Sequence, residues 1–442
     1  MSPEQSVLAR HGGAFGRYRD DTATPRDQQQ LKRGISPVPA PVAGRRKRLL
    51  FVADHIPYPL DRGSHIRIHN ILEACAAEFD VTFLAPRSKA QADAQLPASI
   101  TRAVLVDPER PPPFSWKIFL QAARFQIGMS LGRTLRARML LLHALAALDP
   151  GSFDLIFAER PHIGLLLRQQ RQRTVVDFDD LEHRKFARSL RTQSASLSKL
   201  YTFYRYLIYR WAEQQTFREY PRVFVCSQED QGILESSGAR NVRILTNGAS
   251  IPDQPGTLRQ RKPGEPLRVV FVGNVGYAPN LDAIRYFAEE ICPLAGSLVE
   301  SFAVIGPNAT PDLAAQFAGR VKFRGFVPDL GAALAEYDVM VAPIRFGGGT
   351  KLKVLDAMAH GIPVLTTGYG AEGLNLADGR SALIADSPDA MVRALGRLVR
   401  TPKLGATLAA NAYDLAREHF SWSRTQATLT DGLRTLANGT VG

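Results

Sequence analysis

Short β-rich apolar runs alternate with longer helical stretches, and the chain plays this rhythm twice. The first series is Leu49–Ala53, Val81–Leu84, Leu155–Ala158, Val175–Phe178, Val223–Cys226 and Val242–Leu245. Continuous apolar runs separated by helices predict strands buried on both faces of a parallel sheet, in an α/β layer fold. Residues 251–266 then read IPDQPGTLRQRKPGEP, four prolines without apolar periodicity, which predicts a linker. The rhythm restarts with Val269–Val272, Phe302–Ile305, Val321–Phe323, Val339–Ala342, Val364–Thr366 and Leu383–Ala385, and helical periodicity runs from Asp389 to about Leu436. Two α/β domains facing each other across a cleft are expected, with ligands at the carboxyl ends of the strands.

The 442 residues suit two or three domains at roughly 150 residues each. At 45% hydrophobic and 22% charged, the composition excludes a fibrous, collagen-like or wholly disordered chain. No apolar run approaches the ~20 residues of a spanning helix. The N-terminus lacks the apolar core of a signal peptide, so a cytoplasmic location is expected. Residues 1–46 are expected to be a disordered extension; its closing run Arg45-Arg46-Lys47-Arg48 reads as a solvated stretch or a localisation signal. Cys75, Cys226 and Cys292 lie far apart, and His65, His69, His162 and His183 show no ligand spacing, so neither disulfides nor a metal site is expected. A net charge of +13 favours an anionic partner: nucleic acid, an acidic membrane, or a phosphorylated substrate. Without a zinc finger, RNA-binding signature or repeat, nucleic acid is not the expected one.

The most informative segment runs from Pro343 to Val364. A strand leads into Gly347-Gly348-Gly349, and a helix opens near Thr350 and ends at Gly361 before Pro363. Glycines let backbone approach a ligand, and a helix N-terminus offers unpaired N–H groups. Lys351 and Lys353 occupy the first turn, where acids are normally preferred, so an anion between loop and lysines would account for them. Asp356, on the same side as Lys353, suits ribose hydroxyls. The same residues also read as a tight turn, a helix start and a Lys353–Asp356 pair.

This segment resembles the donor-binding region of retaining glycosyltransferases of family 4, which have the GT-B fold. Further landmarks agree in order: Ile56-Pro57-Tyr58-Pro59-Leu60-Asp61-Arg62-Gly63-Ser64, Thr246-Asn247-Gly248, Phe271-Val272-Gly273-Asn274, Phe326-Val327-Pro328-Asp329 and Phe420-Ser421-Trp422. The resemblance covers roughly residues 48–436. It departs from the family where two glutamates eight positions apart are usual and Gly348 and Asp356 stand instead. The cation common after the Gly273 turn is also missing.

The resemblance implies a GT-B α/β fold, two Rossmann-like domains with parallel sheets facing a central cleft. Residues 47–250, with a terminal helix at 421–436, would form the acceptor domain, 251–266 the linker, and 267–420 the donor domain. Gly273, Asn274, Gly347, Gly348, Gly349, Thr350 and Asp356 would hold the nucleotide sugar, with Lys351, Lys353 or Arg345 on its diphosphate. Lys353 would also stabilise charge on the leaving phosphate, while Gly63 and Ser64 close over the donor. Asp179 or Asp180 would stand where the family often carries a histidine touching the donor sugar, although Asp180 also reads as a helix cap. Glu159 and Arg160 read as cleft residues or a loop pair. No cofactor and no metal are implied.

The expected reaction moves a sugar from a UDP- or GDP-linked donor to a saccharide or lipid-linked acceptor in surface-polysaccharide synthesis. Lys199–Trp211 and Trp116–Arg138 mix aromatics and cations at helical spacing, which suits either an anionic bilayer or ordinary packing with solvated arginines. An epimerase of the same fold and a non-catalytic nucleotide- or polysaccharide-binding relative are the alternatives.

Overall fold

The computed structural model describes residues 46–60, 63–87, 96–107, 133–192, 196–347 and 350–438. The first sheet contains β1 (Arg48–Val52), β2 (Asp80–Pro86), β3 (Arg102–Val106), β4 (Leu155–Glu159), β5 (Thr174–Asp177), β6 (Arg222–Val225) and β7 (Val242–Ile244). All are parallel, in the order β3-β2-β1-β4-β5-β6-β7. The second sheet contains β8 (Leu267–Val272), β9 (Val299–Ile305), β10 (Lys322–Gly325), β11 (Val339–Ala342), β12 (Val364–Thr366) and β13 (Leu383–Ile384), also parallel, in the order β10-β9-β8-β11-β12-β13. Each sheet therefore reverses its winding once, between β1 and β4 and between β8 and β11. At such a switch point the connections leave in opposite directions, opening a crevice beyond the strand ends.

The apolar runs named above fall on these strands, and the central ones are covered on both faces. Phe51, Phe83 and Phe157 are fully buried, the rings of Phe51 and Phe157 stacking at 4.7 Å. Each such side chain contributes about 1.5–3 kcal/mol over an exposed one. Against them pack Ile68, Ile71 and Leu72 of α1 (Gly63–Glu78). One strand, β3, is missing from the sequence reading. It is an edge strand whose residues are exposed or half-buried, although Ala103-Val104-Leu105-Val106 is a continuous apolar run like those of the strands that were read.

Residues 251–266 contain no helix or strand, yet they are tied to the second domain. Arg259 donates to both oxygens of Asp338 at 3.0 and 2.8 Å, and Arg261 donates to the Leu398 carbonyl at 3.0 Å. The helical tail comprises Pro388–Arg400, Pro402–His419 and the terminal helix Trp422–Ala437. The terminal helix places Leu429 and Leu433 in the first domain's core, and its Arg434 bonds Glu78 at 2.7 Å. The crossover explains why two of the sequence landmarks need each other. Gly248 lies flat against Trp422, where a Cβ would fall 2.5 Å from the indole, and the Ala249 N–H donates to the Phe420 carbonyl at 2.8 Å.

Candidate functional site

In the second domain, the loops after β8 and β11 meet at the switch point. Gly273 ends β8, and a Cβ there would come within 2.7 Å of Asn280 Nδ2 and 3.1 Å of Lys353 Cε. Backbone and lysine stem are packed as closely as glycine allows. Asn274 holds the turn, its Oδ1 accepting from the Gly276 N–H at 2.8 Å and from Asn308 at 3.0 Å. After β11 the chain passes Arg345 and Gly347; Gly348 and Gly349 lie outside the described residues.

The next helix, α2 (Leu352–Ala359), starts two residues later than the sequence suggests, with Lys351 as an N-cap that makes no side-chain cap bond. Its first turn carries no acid. Burial lowers the Lys353 ammonium to about 8, helped by Lys351 and opposed by Asp356. The Lys353 Nζ lies 5.7 Å from the Phe271 ring. No salt bridge to Lys353 forms among the described residues, so the sequence reading of a Lys353–Asp356 pair is not realised as a contact. Asp356 is pushed up to about 6 by burial, against the pull of His360 and Lys353. Lys351 is buried over the Tyr369 ring at 4.4 Å; burial lowers its pKa while Asp180 and Glu372 oppose that. The Thr350 hydroxyl is buried without a hydrogen-bond partner.

Arg345 stands apart from this group. Its guanidinium pairs with Asp282 at 2.7 and 3.0 Å and covers the Tyr286 ring at 4.2 Å. That engagement matches the loop-residue alternative better than a free phosphate cation.

The first domain meets this loop from across the cleft. Gly63 opens α1 with Ser64 half-buried beside it, and a Cβ on Gly63 would fall 3.1 Å from Leu352 at the start of α2. An open pocket of about 450 Å³ lies between Asp180, Arg184, Arg188 and Ser227 on one side and Thr350 and Glu372 on the other. Arg188 bonds Glu372 across it, and the Gly373 N–H reaches Glu229 at 3.5 Å. The two candidate aspartates separate here. Asp179 is drawn into a lattice, 3.6 Å from Arg67 and 3.1 Å from Arg160. Asp180 lines the pocket, raised to about 7 by burial and Asp179, with Arg160 and Lys351 opposing.

The lattice was not legible as a site. Arg67, on α1, is 1% exposed and grips Asp177 at 2.7 and 2.8 Å, the Leu245 carbonyl at 3.0 Å and Asn247 at 3.1 Å. It ties β5 to the Asn-Gly landmark after β7.

At the first sheet's own switch point, the ends of β1 and β4 bring together Asp54, His55 and Glu159, whose ligand atoms lie within 4.8 Å of one another. His162 Nε2 approaches Asp54 at 3.6 Å. Burial and the neighbouring Asp54 raise Glu159 well above the carboxylate range, despite its 2.8 Å bond from Arg160. Asp54 stays well below its ordinary value because His55, His162 and Arg160 outweigh its burial. Burial lowers His162 to about 4. These residues come from separate loops, which is why histidine spacing along the chain gave no sign of them.

Residues 266–401 match the family model of "Glycosyl transferases group 1". An uncharacterized 44.6 kDa protein in the cps region of Klebsiella pneumoniae is 22% identical over 52% of this chain and 60% of its own length. A D-inositol 3-phosphate glycosyltransferase of Corynebacterium glutamicum is 31% identical over 28% of this chain and 32% of its own length. The matched regions thus span between a third and three fifths of these relatives. Among solved structures, sucrose-phosphate synthase from Thermosynechococcus elongatus aligns over 89% of this chain and 100% of its own, with a TM-score of 0.63 and 17% identity. Anabaena HepE in complex with UDP and glucose aligns over 88% and 100%, with a TM-score of 0.56 and 17% identity. The shared architecture is the GT-B fold, as the landmarks implied.

Proposed function

We propose that the chain, whose residues 266–401 match the group 1 glycosyl transferase model, is a retaining glycosyltransferase using a UDP-linked sugar. The observation that carries the reading is the close packing of the Gly273 turn on the Lys353 stem, with Lys351 and the buried, unpartnered Thr350 hydroxyl just before α2, at the second sheet's switch point. A buried lysine without a carboxylate contact among the described residues, set against a close-packed backbone turn, is arranged for an anion that arrives with the ligand. The Gly347–Thr350 backbone would hold the diphosphate together with Lys353 or Lys351, and Asp356 would accept from the ribose hydroxyls. As the glycosidic bond breaks, charge grows on the leaving phosphate, and fixed N–H groups and Lys353 lower the barrier because they need no reorientation. The leaving phosphate takes the acceptor proton on the same face, so the anomeric configuration is kept.

Asp180, facing the pocket from the first domain, contacts the donor sugar, and Gly63 and Ser64 close over it. UDP is favoured over GDP because HepE, with the same fold, holds UDP and glucose. The acceptor is a saccharide or lipid-linked sugar of surface-polysaccharide synthesis, met by a cytoplasmic protein on the inner face of an anionic membrane. The test is purified protein with UDP-glucose and a mixed sugar acceptor, followed by NMR of the product's anomeric proton. A new glycoside with the donor's configuration is expected. An epimerised nucleotide sugar formed without acceptor, or an inverted product, would overturn the reading.

A further inference from the structure

Among the described residues, eleven large apolar side chains are prominently exposed, and seven of them lie on one helix, α4 (Leu197–Glu219), which packs on α3 (Glu182–Thr192). They are Leu197, Leu200, Tyr201, Phe203, Tyr204, Leu207 and Trp211, with Leu197 at 87% and Leu200 at 66% exposure. At 3.6 residues per turn these seven fall within an arc of about 160°, along about 21 Å of helix. The buried positions Thr202, Ala212, Glu213, Thr216 and Phe217 lie on the opposite side. The helix is thus seated by a polar and mixed face, while its richest apolar face points to solvent. Folded monomers rarely leave so continuous a patch uncovered.

Charge says what covers it. On the helical wheel Lys199 and Arg210 border the arc on one side, while Arg205 on the other side turns its guanidinium onto Phe186. The carboxylates of α4 are engaged elsewhere: Glu213 is buried against His183, and Glu219 pairs with Arg168. An aliphatic and aromatic stripe with a cationic border, and no carboxylate facing it among the described residues, matches the boundary between acyl chains and anionic headgroups. We propose that α4 is a docking surface for an anionic bilayer, entered by the Leu197–Trp211 face.

The placement also bears on the acceptor, and this part rests on the glycosyltransferase reading. The helix α3 lies between α4 and the cleft: Phe186 stacks on Tyr209 at 5.3 Å, Arg205 covers Phe186 at 4.1 Å, and Arg184 and Arg188 of the same helix line the pocket. Docking by α4 therefore sets the pocket about one helix layer, roughly 8–10 Å, from the bound surface. That favours the lipid-linked acceptor over a free saccharide.

The experiment is sedimentation of the full chain with vesicles of 3:1 phosphatidylcholine and phosphatidylglycerol, or of phosphatidylcholine alone, with a UDP thermal-shift measurement on the same samples. Wild type is expected to pellet with the anionic vesicles and only weakly with the neutral ones. The double variant Leu200→Glu/Leu207→Glu is expected to lose at least tenfold in bound fraction, and Lys199→Glu/Arg210→Glu to fall to the neutral-vesicle level, both with the wild-type UDP shift. Wild type that ignores both vesicles, or a Leu200→Glu/Leu207→Glu variant that binds as wild type, overturns the proposal. So does a wild-type dimer that the apolar variant abolishes without any vesicle binding, which would give the face to a second copy. Vesicle binding without a UDP shift leaves the docking surface standing and removes the donor reading alone.

Discussion

The two walls of the cleft treat charge in opposite ways. On the first domain's side, carboxylates and guanidiniums neutralise one another: Arg67 holds Asp177, and Arg160 reaches Glu159, Asp179 and Glu182. On the second domain's side, glycine turns carry Lys353 beside backbone, with burial rather than an ion pair setting its pKa. A compensated network spends its charges on shape, because removing one member strands its partner in a dry site. An under-compensated lysine holds its charge for something that arrives later. The first wall should therefore fail as structure when it is mutated, and the second as binding.

Arg67→Ala breaks the comparison most severely if it is wrong. Losing the buried partner of Asp177 should cost about 3–5 kcal/mol of stability, read as the urea midpoint. A variant that stays as stable as wild type and only loses UDP would move Arg67 into the ligand site. On the opposite wall, Lys353→Ala should cut turnover by roughly 10²–10³-fold, the cost of one positioned donor to a developing anion, with an unchanged midpoint. Wild-type turnover in that variant would refute the role assigned to the lysine.

The pH dependence sharpens the same contrast. A cation whose pKa is lowered to about 8 is charged below that value and neutral above it, and a bound diphosphate would keep it protonated. UDP affinity should therefore fall as pH rises past about 8, by at most about tenfold per pH unit for one proton, in titrations from pH 7 to 10. In Lys353→Ala the decline over that window should disappear. The smallest effects belong to the half-exposed pairs. Arg188→Ala removes the contact to Glu372 across the cleft and should change stability by about 0.2–1 kcal/mol. Arg345→Ala, which only releases Asp282, should leave UDP affinity within about twofold.

Central strands were legible because burial on both faces writes them as apolar runs: Val339–Ala342 and Val364–Thr366 match β11 and β12 to the residue. The edge strand β3 was passed over although Ala103-Val104-Leu105-Val106 is as apolar as β11, so its omission has no physical ground in the sequence. The loop around Gly347–Lys351 could be read because one contiguous segment supplies glycines, helix start and lysines. Arg67, and the gathering of Asp54, His55 and His162 around Glu159, could not, since only the sheet's winding brings these residues together. Likewise, Asp179 and Asp180 are neighbours in sequence, and only the position of Arg160 shows which is bound into the wall and which faces the pocket.

The central claim is that the second wall holds a nucleotide diphosphate. It is tested most directly by thermal unfolding with and without UDP, in wild type and in Asp356→Ala. At about one hundred times its dissociation constant, UDP should stabilise the wild type by roughly 2.7 kcal/mol, and the variant should lose most of that shift while melting normally without ligand. No shift in folded wild type, or an equal shift in both proteins, would contradict the account.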